Sequence, residues 1–281
     1  MKPEDFEFVS QLLYKQSGLV LNESKSYLLE SRLGPIARGH DFKDVDELAV
    51  ALKGSPTGKL VDEVVDAMTT NESFFFRDQA PFDRFNDTVL PKLLETRANT
   101  RKIRIWSAAC SSGQEPYTLA MLLDDRKAEL SGWKIEIVAT DISPSILEKA
   151  QEGLYTQFEV QRGLPIRLLA KFFKQEGDRW RIDAGLRRMV SYKAFNLLDS
   201  FATLGKFDVV FCRNVLIYFD QKTKSDILGR MAAIMPEDGF LYLGGAETVL
   251  GVSDRFQLMP GQRGLYGLSD GKSAGLAKTG T

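Results

Sequence analysis

Apolar positions recur at helical spacing from Pro3 to Thr69, then give way beyond residue 100 to short, fully apolar runs alternating with helical stretches. In the first region Phe6, Val9, Leu12 and Leu13 mark one helix, closed by Ser17-Gly18. A second starts near Asn22 and passes Tyr27, Leu28, Leu29 and Leu33 toward Ile36, with Gly34-Pro35 expected to bend or end it. Further amphipathic pieces cover Val45 to Leu52 and Leu60 to Met68. The pattern predicts a small helical bundle over 1–70. Residues 71–100 then form a linker and a leading helix from Phe82 to Leu94.

From Ile103 to Ser107 a buried strand is predicted, then a small-residue loop (Ala108 to Gln114), then a helix carrying Glu115 and Pro116 in its first turn. KIEIVATDIS (Lys134 to Ser143) is a second such strand ending in Asp141, with Ser143 placed to cap the next helix. The alternation is interrupted after Gly153. FFKQEGDRWRID predicts a hairpin turning at Glu176-Gly177-Asp178, and an inserted β-subdomain is expected at about 160–190. MVSYKAFNLLD returns to the sheet and ends at Asn196-Leu197. FDVVFCRNVLIYFD (Phe207 to Asp220) is another buried strand, with polar residues at its carboxyl end. A helix from Thr223 to Met235, the strand GFLYLGG and a closing hairpin (Arg255 to Leu258, Arg263 to Gly267) complete a domain spanning 101–270. The small, polar tail 271–281 is expected to be disordered. The expected fold is therefore α/β: a Rossmann-like, doubly wound sheet with a terminal antiparallel hairpin, preceded by the helical bundle.

Composition narrows the chemistry. The 281 residues are 43% hydrophobic and 27% charged with a formal net charge of -1, which gives no basic field for nucleic acid. No apolar run approaches the about 20 residues that cross a bilayer, and MKPEDFEF is unlike a signal peptide. Two cysteines, Cys110 and Cys212, fit a reducing cytoplasm better than a disulfide framework. His40 is the single histidine, which removes the common zinc constellations and any Ser-His-Asp triad; a metal held by carboxylates alone has no motif in its favour, and no metal site is expected.

A strand, a small-residue loop and a helix form the usual seat of a nucleotide-like cofactor in such a sheet. Only Gly113 is available, so the dinucleotide pattern G-x-G-x-x-G is missing, which disfavours a diphosphate and a dehydrogenase. An adenosyl cofactor without phosphates suits the loop better. Asp141, at the end of the second strand, is placed to accept hydrogen bonds from two ribose hydroxyls. These features together describe a class I S-adenosylmethionine site. Asn214 and Tyr218, at the carboxyl end of their strand, are candidates for substrate and cofactor contact. In TTNESFFFRD (Thr69 to Asp78) the phenylalanines read as a core plug, whereas Asn71, Ser73 and Arg77 need polar partners.

TTNESFFFRD, WSAACSSGQEPYTLA, ATDIS and CRNVLIYFD, in that order and spacing, resemble the chemotaxis receptor methyltransferase family, the CheR proteins. The likeness covers nearly the whole chain. It implies methyl transfer from S-adenosylmethionine to glutamate side chains on the cytoplasmic helices of chemoreceptors, giving glutamyl methyl esters and S-adenosylhomocysteine. Carried over by motif, Asn71, Ser73, Arg77, Glu115, Asp141, Asn196, Leu197, Asn214 and Val215 would contact the cofactor. Arg77 and Tyr218 would face the acceptor carboxylate.

Lys25, Arg32 and Arg38, seven and six residues apart, are expected to share a helix face; they are either a solvated face or a strip gripping receptor helices. Residues 1–72 hold 8 Lys/Arg against 13 Asp/Glu, so such a strip is local. Two features depart from the family pattern. Gln114-Glu115 stands where two acidic residues are common, and Pro35-Ile36 interrupts the basic strip. The short hairpin around Gly177 resembles members that work without a receptor pentapeptide tether. Two other readings are a methyltransferase acting on a small molecule or RNA, and a catalytically silent module of this fold that senses cofactor or docks on receptors.

Overall fold

The computed structural model describes residues 1–269; the tail expected from 271 lies outside the described residues. Helices α1 (Pro3–Ser17), α2 (Ser26–Gly39), α3 (Val45–Gly54) and α4 (Lys59–Met68) pack around their own core of Val9, Leu13, Leu29, Leu33, Leu48 and Val64. α1 stops at Gly18, whose left-handed φ of 75° lets its N–H close on the Tyr14 carbonyl. The expected break at Gly34-Pro35 does not occur, because α2 runs through both residues to Gly39. Leu29, Leu33 and Ala37 recur every four residues and are buried along one side, so packing outweighs the hydrogen bond that proline deletes.

The segment 71–79 leads into α5 (Ala80–Arg84), a π turn (Phe85–Val89) and α6 (Leu90–Thr96). Phe75 and Phe76 plug the core as expected, meeting Tyr155, Phe173 and Phe82 edge to face. Phe74 is half-buried, with the Arg77 and Arg162 guanidinium carbons 5.5 and 4.3 Å from its ring centre.

β1 (Lys102–Ala108), α7 (Gln114–Asp125), β2 (Lys134–Asp141) and α8 (Pro144–Glu152) form the first two strand-helix units. The insertion follows: β3 (Leu154–Thr156), α9 (Gln157–Gln161), α10 (Ile166–Phe172), β4 (Phe173–Glu176), β5 (Arg179–Ile182) and α11 (Ala184–Met189). Its antiparallel sheet has the order β3-β5-β4, so it begins at Leu154, earlier than the hairpin pattern suggested. Three residues are too few to show strand periodicity, and β3 exists because β5 pairs with it. The chain then continues through β6 (Val190–Ala194), β7 (Val209–Cys212), α12 (Gln221–Ala233), β8 (Phe240–Leu243), β9 (Phe256–Leu258) and β10 (Leu265–Leu268).

The main sheet has the order β6-β2-β1-β7-β8-β10-β9, and β10 alone runs against the others, pairing antiparallel with both β8 and β9. Successive strand residues enter opposite cores. Ile103, Ile105, Val209 and Phe211 face one; Trp106, Ala108, Val210 and Cys212 face the other. Strand order reverses between β1 and β7, which opens a crevice at the carboxyl ends of the strands.

Candidate active site

A cavity of about 110 Å³ lies at that reversal, joined on one side to a slot of about 50 Å³. Its floor is the loop after β1. Ala109, Ser111 and Gly113 adopt φ values of 57°, 51° and 88°, so the loop turns sharply with only small side chains at the crevice. At Gly113 a Cβ would come within 2.7 Å of the Tyr192 hydroxyl. The Cys110 N–H bonds to the Thr140 carbonyl, and the Ser111 hydroxyl donates to the Asn71 carbonyl at 2.8 Å. The strand loop and the TTNES segment are thereby stitched together. Left-handed backbone recurs around the cavity at Phe76, Asp78 and Asn214.

Asp141 ends β2, and its side chain accepts from the Ser111 N–H at 2.8 Å and the Ser143 N–H at 3.1 Å. Burial pushes its pKa above the ordinary carboxylate value, and those two N–H bonds pull the other way. A carboxylate has about four acceptor positions. The acceptor capacity left over suits a hydroxyl-bearing ligand at the strand end. Glu115, in the first turn of α7, lines the cavity but does not project into it unpaired. Its Oε1 accepts from the Ser107 hydroxyl at 2.8 Å, and its Oε2 meets Arg213 Nη1 at 3.1 Å. A direct reach from Glu115 to a cofactor amino group must share these bonds.

Asn71, Ser73 and Arg77 all border the cavity, as do Asn214, Val215 and Tyr218 from the stretch after β7. Arg77 Nη1 donates to the Glu72 carbonyl at 2.9 Å, and Arg77 forms no ion pair among the described residues. Asn196 and Leu197 border the side slot with Phe195, Ile142 and Val215, an apolar surround suited to a flat heterocycle. The Asn196 amide donates to the Gln16 carbonyl at 2.7 Å, so it braces the wall more than it faces the slot.

Sequence reasoning overlooked two buried charged groups. Arg213 is 6% exposed and joins Glu115, the Arg77 carbonyl at 2.7 Å and Asp78 at 2.8 Å. An arginine directly after four buried apolar residues has to be paired, and that was the available signal. Glu247 accepts from the N–H groups of Asn214, Gly244 and Ile217, holding the Asn214 turn in place. It follows no motif. The helical domain also supplies lining that the sequence did not suggest: Ser17, Leu19, Val65, Thr69 and Thr70.

The expected shared face of Lys25, Arg32 and Arg38 is not found. Lys25 lies in a 3-10 turn before α2, and Arg38 sits about 120° around the helix from Arg32 at 100° per residue. Arg32 is half-buried and donates to the Met68 and Thr69 carbonyls, both at 2.8 Å, which ties α2 to the cavity wall. Lys25 and Arg38 remain exposed.

Residues 71–265 match the family model described as "CheR methyltransferase, SAM binding domain", and residues 4–69 match "CheR methyltransferase, all-alpha domain". The chain is 42% identical over 259 residues to Chemotaxis protein methyltransferase Cher2 of Pseudomonas putida, covering 91% of this chain and 94% of that protein. Against Chemotaxis protein methyltransferase 1 of Pseudomonas aeruginosa the identity is 44%, with the same coverage of each. A more distant likeness, at 20% identity and a TM-score of 0.33 over 65% of each chain, is to magnesium protoporphyrin IX methyltransferase from Synechocystis with bound SAH. With a buried strand-end carboxylate, a small-residue loop and an apolar slot in one crevice, this chain belongs to the CheR methyltransferase family and is an S-adenosylmethionine-dependent methyltransferase.

Proposed function

We propose that this enzyme methylates glutamate side-chain carboxylates on the cytoplasmic helices of chemoreceptors, yielding glutamyl methyl esters and S-adenosylhomocysteine, and so works in the cytoplasm in receptor adaptation. One observation carries the reading: the Arg77 guanidinium has no carboxylate partner among the described residues, yet it lines the same cavity as Asp141 and Tyr218. Such a group complements an acidic acceptor.

The cofactor supplies an electrophilic methyl group. Asp141 takes the ribose, and Leu197 with Val215 and the neighbouring apolar side chains takes the adenine. Asn71, Ser73, Glu115, Asn196 and Asn214 frame the remainder directly or through the backbone they hold. A glutamate is already ionised at neutral pH, so no residue has to remove a proton. Arg77 and Tyr218 hold the acceptor by hydrogen bonds and exclude water, and such alignment is worth up to about 7–11 kcal/mol in well-oriented systems.

Receptor docking falls to Lys25 and Arg38, with Arg32 acting from inside as a brace. The short β4–β5 hairpin, with Gly177 its only glycine, favours action without a pentapeptide tether. Incubation with labelled cofactor and membranes containing chemoreceptors tests the assignment. Base-labile label on the receptor supports it; base-stable label, or none, defeats it.

A further inference from the structure

A second groove lies beside the cavity, on the far side of the Arg213–Asp78 pair, between α5 and the glycine-rich turn after β8. Its floor is apolar, formed by Pro81, Leu243, Leu258 and Tyr266, with Leu258 53% exposed. Two acids line it, and both are engaged. Asp78 pairs with buried Arg213, and Glu247 is surrounded by three backbone N–H groups. Two arginines also line it, Arg84 and Arg263, and neither meets a carboxylate within ion-pair distance among the described residues. Arg84 donates to the Arg263 carbonyl, and Arg263 reaches only the Gly245 carbonyl at 3.4 Å. The uncommitted charge of the groove is therefore positive, in a chain whose formal net charge is -1. The groove also starts one residue from Arg77, at Asp78, and Arg213 Nη2 holds that turn by bonding both the Arg77 carbonyl and Asp78.

We infer that this groove receives the acidic protein segment flanking the acceptor glutamate, with Arg84 and Arg263 reading carboxylates beside the one that is methylated. The inference rests on the protein-glutamate reading above. It assigns to α5 and the β8 turn a share of acceptor recognition separate from Lys25 and Arg38. Exposed charges of this kind act chiefly on encounter and on salt dependence, and little on the bound reaction.

The test uses the full chain and a soluble cytoplasmic receptor fragment, with initial rates measured at low and high salt. Arg84→Glu with Arg263→Glu is expected to raise KM for the fragment about tenfold and flatten its salt dependence. Both kcat and the calorimetric affinity for S-adenosylhomocysteine should stay at wild-type values. Changing the acidic residues beside the methylated glutamate to glutamine in the fragment should reproduce the KM rise in the wild-type enzyme and add nothing in the double variant. Arg263→Glu alone, at an exposed site with one weak bond, serves if the double variant melts early. An active wild type with unaltered KM and salt dependence in a folded variant overturns the groove. A wild type that leaves the fragment unlabelled overturns the glutamate reading itself.

Discussion

The cavity has two walls of different construction. On the sheet side, Ala109 to Ser111, Asp141 and Arg213 to Val215 stand at or just after three strand ends, and their shape comes from left-handed backbone and N–H bonds to Asp141. On the helical side, Ser17, Leu19, Val65, Thr69 and Thr70 come from a domain with its own core. They are held by bonds between distant residues: Asn196 to the Gln16 carbonyl, Val20 N–H to the Tyr218 carbonyl, Tyr14 to Asp220, and Ser145 to Asp66. The difference is one of replaceability. A strand-end loop cannot shift without breaking the sheet register, whereas a docked helical wall can loosen while both cores stay folded.

The largest effect is expected where the two walls meet. Arg77 lies on the segment joining them, and Arg77→Ala should lower kcat about 10²–10³-fold, as loss of one aligned donor does elsewhere. Thermal melting should match wild type, and wild-type turnover would remove Arg77 from the mechanism. Next comes a direct strike on the rigid wall. Gly113→Val places a side chain at φ 88° against the Tyr192 hydroxyl, and strain of about 1–3 kcal/mol should lower Tm and erase measurable S-adenosylhomocysteine binding together. Calorimetry and melting on one sample check both.

The soft wall should yield less. Arg32→Ala removes the bonds to the Met68 and Thr69 carbonyls, each charge-assisted bond being worth about 1.5–3 kcal/mol before solvent exposure discounts it. Affinity for S-adenosylhomocysteine should fall roughly tenfold with the sheet intact. An unchanged affinity would show that the helical wall is passive.

The smallest effect on the site is expected from the opposite end of the sheet. There Arg97 bridges Asp208 at 2.8 Å and Asp238 at 2.5 Å, and it holds the Asp238 carboxyl below its ordinary pKa. A lowered carboxylate stabilises the fold above its unfolded pKa, and that contribution disappears as pH falls through the folded value. Arg97→Gln should therefore lower Tm at neutral pH and match wild type more closely as the solution is acidified, with cofactor affinity unchanged throughout. A Tm gap constant with pH would reject the ion-pair account.

Much of this was legible in the residues. Buried strands announce themselves by short apolar runs, and β1, β2, β7 and β8 fall where those runs lie. The small-residue loop was legible because it lies between a strand run and a helical run, and it does line the cavity. Asp141 was legible as a strand-end acid, and it does close β2 at the cavity. α2 was misread at Gly34-Pro35, since local propensity does not register the packing of Leu29, Leu33 and Ala37. β3 went unseen because its only reason is its partner strand.

By itself the sequence determined the order of elements, the identity of the strand ends and the polar residues standing on them, because these depend on periodicity and on neighbours a few positions away. Only the tertiary structure decided that Arg32 braces the cavity wall, that Arg213 ties Glu115 to the Arg77 turn, and that Ser17 and Leu19 line the site. The first two roles need stretches of chain 36 to 136 residues apart brought within about 3 Å of one another, and the third needs the end of α1 docked beside Asn196, 180 residues from Gln16. That approach is fixed by the tertiary packing of each domain and by the hydrogen bonds between them, and a reading of neighbours along the chain contains no record of it.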